Sequence, residues 1–374
     1  MLYTNFKNKR LSLLGMGGMR FPCHADGTVN ETETARIIDL CMENGVNYFD
    51  SAWFYHDGAS EEVLGKLLRK YPRDSYYLAT KLPWSGYTTK EEVQAIFETQ
   101  LKRAGVDYFD FYLFHNVSEN TVDSFENPDF AIPEFLAEQR AKGRIRHLGF
   151  STHGSVKLME DFIVRHRDIL EFCQIQLNWL DFILQDAKAK VELLNRYGLH
   201  IWVMEPLRGG KLSALSPEHE APLHALRPDE SIAAWSFRFL ESIPGVQMIL
   251  SGMASCEIAT QNFRAFKERL PLSYLERETL LSVAKQLLGK KSLLCTECKY
   301  CVSDCPQGLP IPSLLSLYNN TSLLGRTPHK EKVIAKFTEE KLPGSCIGCR
   351  VCESKCPQGI KISELLAVLA QALH

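Results

Sequence analysis

Short apolar runs alternate along the chain with longer stretches whose apolar residues recur at helical spacing. The short runs are typical of buried strands, whereas the stretch that begins near Thr32, with Ile37, Ile38 and Cys41, is typical of an amphipathic helix. Eight strand–helix alternations predict an α/β fold, a (β/α)8 TIM barrel, with a doubly wound open sheet as the alternative. The predicted strands occupy residues 11–14, 46–49, 76–81, 109–114, 145–151, 172–178, 199–205 and 246–251.

Polar side chains end three successive predicted strands. Asp50 and Tyr55 follow the second strand, while Lys81 and His115 end the third and the fourth. Catalytic residues of such barrels lie at the carboxyl ends of several strands, so we expect these side chains to meet at that end, called the mouth below. Alone, each would be ordinary: a buried ion pair, a core tyrosine or a histidine satisfied by backbone. A general-acid tyrosine needs its pKa of about 10 lowered, and the Lys81 ammonium is expected to lower it.

The order aspartate, tyrosine, lysine and histidine resembles the catalytic tetrad of the aldo-keto reductases. The resemblance implies that Tyr55 gives a proton to the carbonyl oxygen of a substrate and that Lys81 lowers the pKa of Tyr55. It also implies that Asp50 holds Lys81 and that His115 orients the carbonyl group. NAD(P)H is then the expected hydride donor, and a small carbonyl compound is the expected substrate.

Later strand ends resemble the cofactor-binding segments of the same family. Gly149-Phe150-Ser151-Thr152 is similar to a Gly-x-Ser-Asn segment that binds the nicotinamide carboxamide, and Gln174 is expected beneath the same ring. The segment from Met204 to Gly210 is similar to the Tyr-Ser-Pro-Leu segment after the seventh strand. The candidate cofactor-binding residues are Gly18, Met19, Arg20, Asp50, Ser151, Thr152, Gln174, Met204, Glu205, Leu207, Arg208, Gly210, Lys211, Gly252, Met253, Ser255, Gln261 and Asn262.

Departures from the family pattern leave the identity of the cofactor open. Thr152 replaces an asparagine, and Met204 replaces an aromatic residue that would stack on the nicotinamide. The loop after the last strand lacks the lysine and arginine that commonly bind a 2′-phosphate, so NAD and NADP are both compatible. Arg208 and Lys211 would instead suit the phosphate of FMN, because the loops after strands seven and eight are the usual phosphate site of these barrels.

The C-terminal region carries eight of the twelve cysteines, in two copies of one spacing. Each copy reads Cys-x2-Cys-x2-Cys-x3-Cys-Pro, which is the bacterial ferredoxin run and differs from the paired spacing of zinc ribbons. The two runs predict two [4Fe-4S] clusters. In two-cluster ferredoxins the fourth cysteine of each run binds the cluster that the other run holds. The ligands are then Cys295, Cys298, Cys301 and Cys356 for one cluster, and Cys346, Cys349, Cys352 and Cys305 for the other.

Helical stretches at residues 270–288, 310–324 and 331–337 accompany both cysteine runs. This arrangement resembles the α-helical ferredoxin domain of respiratory iron–sulfur subunits. We therefore predict a barrel over residues 1–268, a helical connector over 269–290 and a two-cluster domain over 291–374.

The other four cysteines have no ligand spacing. Cys41 and Cys173 lie in apolar runs and are predicted core residues. Cys23 and Cys256 lie in predicted loops near the mouth, where a reactive thiol is the minority interpretation.

Composition and charge exclude several classes of partner. The chain has 374 residues, of which 45% are hydrophobic, and this is enough apolar material for a large core. Its net charge of -2 predicts no general attraction to nucleic acid or to acidic membranes. The polar start and the absence of a long apolar run in the sequence predict a cytoplasmic protein.

Three functions are compatible with the sequence, and the first is preferred. It is a carbonyl reductase in which NAD(P)H supplies hydride, Tyr55 supplies the proton and two [4Fe-4S] clusters transfer electrons. The second is an FMN-containing electron-transfer oxidoreductase, because a flavin can divide the electron pair that a nicotinamide passes as hydride. The third is a regulatory, redox-sensing subunit. A small carbonyl substrate and a redox partner protein are the predicted partners.

Overall fold

The computed structural model describes residues 1–119, 121–289, 295, 301–302, 304–324, 334, 337–354, 356 and 360–373. The chain forms two compact units. The first comprises Met1–Phe182, Asp186–Ser213 and Ala233–Ser273, and the second comprises Ile183–Gln185, Ala214–Ile232 and Tyr274–His374. Among the described residues, no helix combines the length and the apolar character that a bilayer span requires.

Eight parallel strands of the first unit close into a barrel, and a two-stranded antiparallel hairpin precedes them. The strands are β1 (Tyr3–Phe6), β2 (Lys9–Ser12), β3 (Leu14–Gly17), β4 (Tyr48–Asp50), β5 (Tyr77–Leu82), β6 (Phe109–Val117), β7 (Ile145–Thr152), β8 (Phe172–Gln176), β9 (His200–Met204) and β10 (Val246–Ser251). Strand β10 returns to β3 through the pairs Ile249–Leu14 and Leu250–Gly15. This closure confirms the predicted barrel and excludes the open sheet.

The first predicted strand has the wrong boundaries. Leu11 belongs to the hairpin strand β2, whereas the barrel strand starts at Leu14 and continues through Gly15. A Cβ atom on Gly15 would lie 2.7 Å from Met248 Sδ, so glycine allows β3 and β10 to approach closely. Phe6 and Leu11 are fully buried in the barrel core. Leu11 is therefore apolar because the hairpin packs on the barrel, and not because it belongs to a barrel strand.

Helices alternate with the barrel strands and also form the second unit. In the described part of the chain they are α1 (Glu31–Glu43), α2 (Ala59–Leu68), α3 (Lys90–Ala104), α4 (Val122–Glu126), α5 (Ile132–Ala141), α6 (Val156–Arg165), α7 (Asp181–Leu184), α8 (Ala187–Arg196), α9 (Pro217–His224), α10 (Ile232–Glu241), α11 (Cys256–Ala265), α12 (Tyr274–Gly289), α13 (Ile311–Leu324), α14 (Val351–Ser354) and α15 (Ile362–Leu373). Asn30, Thr89 and Ser255 begin α1, α3 and α11 as N-caps, each accepting a backbone N–H three residues on.

The second unit is helical in its described part, as the sequence predicts. Helices α13 and α15 pack through a buried apolar core that includes Leu314, Tyr318, Leu366 and Leu369. Helix α12 occupies most of the predicted connector and is tied to Arg227 through an ion pair with Glu276 at 2.5 Å. The helix predicted at 331–337 lies almost wholly outside the described residues.

Candidate active site

A buried ion pair occupies the mouth between strands β4 and β5. Lys81 Nζ donates to Asp50 Oδ1 at 2.5 Å and to the Ser51 carbonyl oxygen at 2.7 Å. The Lys81 side chain is fully buried. Burial alone would lower the pKa of Lys81, but the oxygens of Asp50 and Tyr55 outweigh it and raise that pKa. Lys81 is therefore a fixed cation below the protein surface.

The phenol of Tyr55 lies against this cation. Lys81 Nζ is 5.0 Å from the centre of the Tyr55 ring. The net pKa effect is opposite to the expected lowering: burial raises the pKa of Tyr55, and although Lys81 lowers it, the outcome lies above the ordinary value. The sequence could not predict the burial that prevails here. Tyr55 consequently keeps its proton at neutral pH and holds the proton that a general acid gives away.

His115 faces the Tyr55 ring edge-on, with 6.0 Å between the ring centroids. Burial lowers the pKa of His115 well below its ordinary value, and the charge of Lys81 lowers it further, so the imidazole is neutral. Trp84 and Phe54 lie 5.0 Å and 6.2 Å from the His115 ring. The four residues of the predicted tetrad thus meet at one place, beside an aromatic wall.

Several buried polar atoms around this place have no hydrogen-bond partner among the described residues. Buried polar atoms are nearly always satisfied, so such atoms indicate where a polar ligand fits. One of them, Gln174 Oε1, belongs to the residue that the sequence predicts beneath the nicotinamide ring. The atoms at the strand ends are Asp50 Oδ2, His115 Nδ1, Asn116 Oδ1, Gln174 Oε1 and Arg208 Nη1.

The hydroxyl groups of Ser151 and Thr152 already have protein partners. Ser151 Oγ accepts the Asn116 backbone N–H at 2.8 Å. Thr152 Oγ1 donates to the Val117 carbonyl at 2.6 Å and accepts the Gly154 N–H at 2.9 Å. Both residues are buried. The Thr152 hydroxyl therefore lies between β6 and β7, where its hydrogen bonds are made to the protein backbone and not to a ligand in the mouth.

The loop after β9 places Arg208 against an acid that sequence reasoning missed. Asp181 is fully buried and lies 3.2 Å from Arg208 Nε. Asp181 also accepts the side-chain amides of Gln176 and Asn178, each at 2.7 Å. Burial lowers the pKa of Lys211 to about 8, and Arg208 adds to that effect. Only the position of Asp181 shortly after a strand end could have indicated its role.

A second ion pair links this loop to the turn after β3. Arg20 Nη2 donates to Glu205 Oε1 at 2.8 Å. A Cβ atom on Gly252 would lie 2.9 Å from Arg20 Cβ, so glycine lets the β10 loop approach the arginine. Gly18 is similarly confined, because its Cβ atom would lie 2.9 Å from the Asp50 carbonyl oxygen. Arg20, Glu205 and these glycines thus form one rim of the mouth.

The remaining candidate cofactor residues fall into two groups. Met204 contacts Gln174 through Sδ at 3.7 Å, Met19 is 54% exposed, and Leu207 and Gly210 lie in the β9 loop. In the β10 region, Met253 is buried, Ser255 caps α11, and Asn262 Nδ2 donates to Ser251 Oγ at 3.0 Å. Gln261 donates to Glu257 on the exposed side of α11, away from the contacts that build the loop.

Four cysteines of the second unit line one cavity. The cavity is bordered by Cys305, Cys346, Cys349 and Cys352, which form one of the two predicted ligand sets. Leu309 donates its N–H to Cys305 Sγ at 3.4 Å. No three acids, histidines or cysteines of the described residues are close enough to share a single metal ion.

The other predicted ligand set is only partly described. Cys295 and Cys356 are half-buried and pack against the same apolar core, to which the buried Cys301 belongs. Cys298 lies outside the described residues. Sequence spacing, not measured geometry, is therefore the basis for this second set.

Comparison with known proteins identifies both regions. The profile of the Aldo/keto reductase family matches residues 13–277, and that of the 4Fe-4S dicluster domain matches residues 294–360. "Probable aldo-keto reductase 1" of Glycine max is 26% identical over 211 residues, which are 54% of this chain and 57% of that protein. "Uncharacterized oxidoreductase YqkF" of Bacillus subtilis is 24% identical over 306 residues, covering 75% of this chain and 95% of that protein.

Solved structures share the barrel fold. The holo form of aldo-keto reductase AKR11C1 from Bacillus halodurans has a TM-score of 0.61 at 24% identity, covering 76% of this chain and 97% of that one. A thermostable aldo-keto reductase, Tm1743, in complex with the inhibitor epalrestat, has a TM-score of 0.61 at 22% identity, covering 76% and 100%. The chain therefore belongs to the aldo/keto reductase family of oxidoreductases and carries a C-terminal 4Fe-4S dicluster domain.

Proposed function

We propose that this protein reduces the carbonyl group of a small aldehyde or ketone with NAD(P)H, and that Tyr55 is the general acid. The observation that carries the proposal is the fully buried Lys81–Asp50 pair beneath the Tyr55 ring. Tyr55 holds its proton at neutral pH, and Lys81 stabilises the phenolate that forms when the proton leaves. Neutral His115 is placed to orient the carbonyl group by hydrogen bonding.

The free polar atoms of the mouth fit a nicotinamide dinucleotide. When bound, the nicotinamide supplies hydride to the carbonyl carbon. Gln174 would accept from its carboxamide through the free Oε1 atom, and Arg208 and Lys211 would pair with its phosphates. Ser255 and the N-terminus of α11, in the β10 loop, would bind any phosphate group of the cofactor that Arg208 and Lys211 do not contact. A 2′-phosphate is left unassigned, since this loop carries no basic residue between Gly252 and Ser255.

For the second unit, the proposal is a pair of [4Fe-4S] clusters that transfer electrons to or from a redox partner protein. The cavity bordered by Cys305, Cys346, Cys349 and Cys352 supports the crossed ligand set for one cluster. Cys349 is exposed, so that cluster would have a ligand at the surface, where a partner can approach. The second cluster rests on the spacing of Cys295, Cys298, Cys301 and Cys356.

FMN in the barrel is the second candidate. The observation that favours it is the Arg208 guanidinium, whose Nη1 atom is free among the described residues while Asp181 holds its Nε side. Such a group suits a single terminal phosphate. Met204 in place of a stacking aromatic also agrees with a flavin.

Protein purified without oxygen separates the two candidates. The measurements are iron and sulfide content, chromatography of any nucleotide released on denaturation, and oxidation of NAD(P)H by a panel of aldehydes and ketones. Carbonyl-dependent oxidation of NAD(P)H without bound flavin supports the reductase. Stoichiometric FMN with no such oxidation overturns it in favour of the flavoprotein.

A further inference from the structure

A thiol and an imidazole meet in the loops that carry the mouth. Cys23 Sγ lies 3.6 Å from His56 Nδ1, although the two residues are 33 positions apart. Cys23 is exposed, and as a thiol it donates its S–H to the Phe21 carbonyl at 3.4 Å. His56 directly follows Tyr55 in the chain. The pair thus adjoins the proposed general acid in the chain without forming part of the tetrad.

The contacts of the His56 ring decide which nitrogen carries the proton. The Phe21 backbone N–H donates to Nε2 at 3.2 Å, so Nε2 must be an unprotonated acceptor. Burial lowers the pKa of His56 below its ordinary value, and the ring is therefore neutral at neutral pH. The single ring proton then lies on Nδ1, 3.6 Å from Cys23 Sγ. The carbonyl groups of Gly18 and Met19 also interact with the ring and partly offset the effect of burial on its pKa. An N–H group directed at the sulfur can donate a hydrogen bond to the thiolate, which is the reactive form of cysteine.

Two further features hold the imidazole in this position. Its ring stacks on the Phe21 ring at 5.4 Å with an interplanar angle of 7°. His56 and Asp57 both adopt left-handed backbone conformations, with φ of 52° and 54°. Such conformations are uncommon in residues other than glycine and indicate a loop that its surroundings hold in place. The donor is therefore fixed before any reagent arrives.

The other partly exposed thiol of the first unit has the opposite environment. Cys256 Sγ lies 3.4 Å from the carboxylate oxygen Oε1 of Glu33. Burial and this carboxylate raise the pKa of the Cys256 thiol above its ordinary value. Cys41 and Cys173 are buried. Cys23 is therefore distinguished both by its exposure and by its N–H donor.

We propose that Cys23 is a thiol-modification site that reacts with small-molecule disulfides, of which glutathione disulfide is the test case, with His56 as its positioning residue. The Cys23 proton leaves to solvent, and the thiolate attacks one sulfur of the disulfide. A new S–S bond forms at Cys23 while the old one breaks, and the leaving thiolate takes the electron pair and then a proton from water. Cys23 sulfur is oxidised, and the departing sulfur is reduced.

Modification at Cys23 slows turnover because the added group must be accommodated beside the His56 ring. That ring and the strained backbone of Asp57 follow Tyr55 directly, so their displacement moves the phenol away from Lys81. This consequence rests on the carbonyl reduction proposed above, whereas the reaction at Cys23 does not.

The test uses the holoprotein with its clusters and two separate readouts. Glutathione disulfide is added without oxygen, and peptide mass spectrometry follows the mixed disulfide at Cys23 and at Cys256 in the same molecule. We expect Cys23 to react about tenfold faster or more, as expected for one charge-assisted hydrogen bond. Equal rates at the two cysteines, or faster reaction at Cys256, would overturn the assignment without any variant being made.

His56→Gly tests the donor. Glycine adopts the left-handed conformation without strain and removes the imidazole, so the rate at Cys23 should fall to about that of Cys256. An unchanged Cys23 rate in a variant with unchanged thermal unfolding would exclude His56 as the positioning residue.

Cys23→Ser tests the consequence for turnover. The variant should keep the basal activity and lose the inhibition that glutathione disulfide causes and dithiothreitol reverses in the wild type. Inhibition that persists in Cys23→Ser shows that another site is responsible and overturns the proposal. If neither the wild type nor the variants reduce carbonyl compounds, the proposed function is refuted. Peptide mass spectrometry of the mixed disulfide still tests the Cys23 assignment in that case.

Discussion

The ammonium group of Lys81 lies 5.0 Å from the centre of the Tyr55 ring, and the Lys81 side chain is fully buried. Burial raises the pKa of Tyr55, and the charge of Lys81 opposes that rise without reversing it. This relationship makes Tyr55 a protonated group over the whole neutral range. It also stabilises the phenolate in the moment after proton transfer, when the negative charge faces Lys81.

The pH dependence of reduction follows from two opposite shifts. The active form of Tyr55 is protonated and is lost only as pH rises through a pKa raised above about 10. The active form of His115 is neutral and is lost only as pH falls through a pKa lowered well below about 6.5. With NAD(P)H saturating, so that the loss of the Lys211 charge near pH 8 does not limit cofactor binding, we therefore expect kcat/KM for the carbonyl substrate to stay level between these two ordinary values.

Initial rates measured across that range, with each sample also returned to neutral pH and assayed again, check the expectation. A decline centred near the ordinary histidine value, recovered on return, would contradict the assigned state of His115. A reversible decline below the ordinary tyrosine value would contradict the assigned state of Tyr55.

Asp50→Asn should destabilise the first unit strongly. The substitution leaves the Lys81 charge buried without its partner, which costs about 3–5 kcal/mol in the free energy of unfolding for pairs of this kind. Denaturant titration followed by circular dichroism measures the change. Asp161→Asn is the matched control, because Asp161 pairs with Lys157 on the exposed face of α6 and should leave the midpoint unchanged. Equal effects of the two substitutions would refute the buried pair.

Arg208→Met should weaken cofactor binding whichever cofactor is present. The variant removes the guanidinium that Asp181 holds in the β9 loop, so the dissociation constant should rise about tenfold or more, as for loss of a charged contact to phosphate. Equilibrium titration with NADH, NADPH and FMN measures it. Arg165→Met on the exposed side of α6 is the control. Unchanged affinity for all three would remove Arg208 from the site.

Cys352→Ser should lower the iron and sulfide content by about half, since it removes a ligand of one of the two proposed clusters. Cys173→Ser, at a buried cysteine of β8, should leave both contents at the wild-type level. Iron analysis of the two variants purified side by side without oxygen checks the expectation. Equal iron in both variants would contradict the assignment of Cys352 as a ligand.

The sequence predicts that the four proposed tetrad residues lie close together because barrel topology fixes where strand ends meet. Asp50 ends β4, and Lys81 and His115 lie one and two residues before the ends of β5 and β6. Parallel pairing in register brings such positions together whatever the loops do. The barrel itself followed from the alternation of strands and helices. The spacing of the C-terminal cysteines was similarly sufficient to predict an iron–sulfur domain, which the family profile bears out.

The parts that sequence reasoning missed depend on burial or on loop conformation. The raised pKa of Tyr55 follows from the number of atoms packed around it, which no motif encodes. Asp181 meets Arg208 only because the β9 loop turns through left-handed residues. The Cys23–His56 contact likewise needs a left-handed backbone at His56. The sequence predicts Leu11 in the barrel because a hairpin strand and a barrel strand share the same apolar pattern, whereas the structure places it in the hairpin strand β2.

Removal of the Tyr55 hydroxyl tests the proposed reaction most directly. In a single turnover with bound NAD(P)H, the rate of carbonyl reduction by Tyr55→Phe should fall by about a hundredfold to ten-thousandfold, while cofactor affinity stays unchanged. Tyr87→Phe is the matched control, because the buried Tyr87 hydroxyl bonds to Ser124 and lies outside the tetrad. A Tyr55→Phe protein that reduces the carbonyl at the wild-type rate would contradict the assignment of Tyr55 as the proton donor.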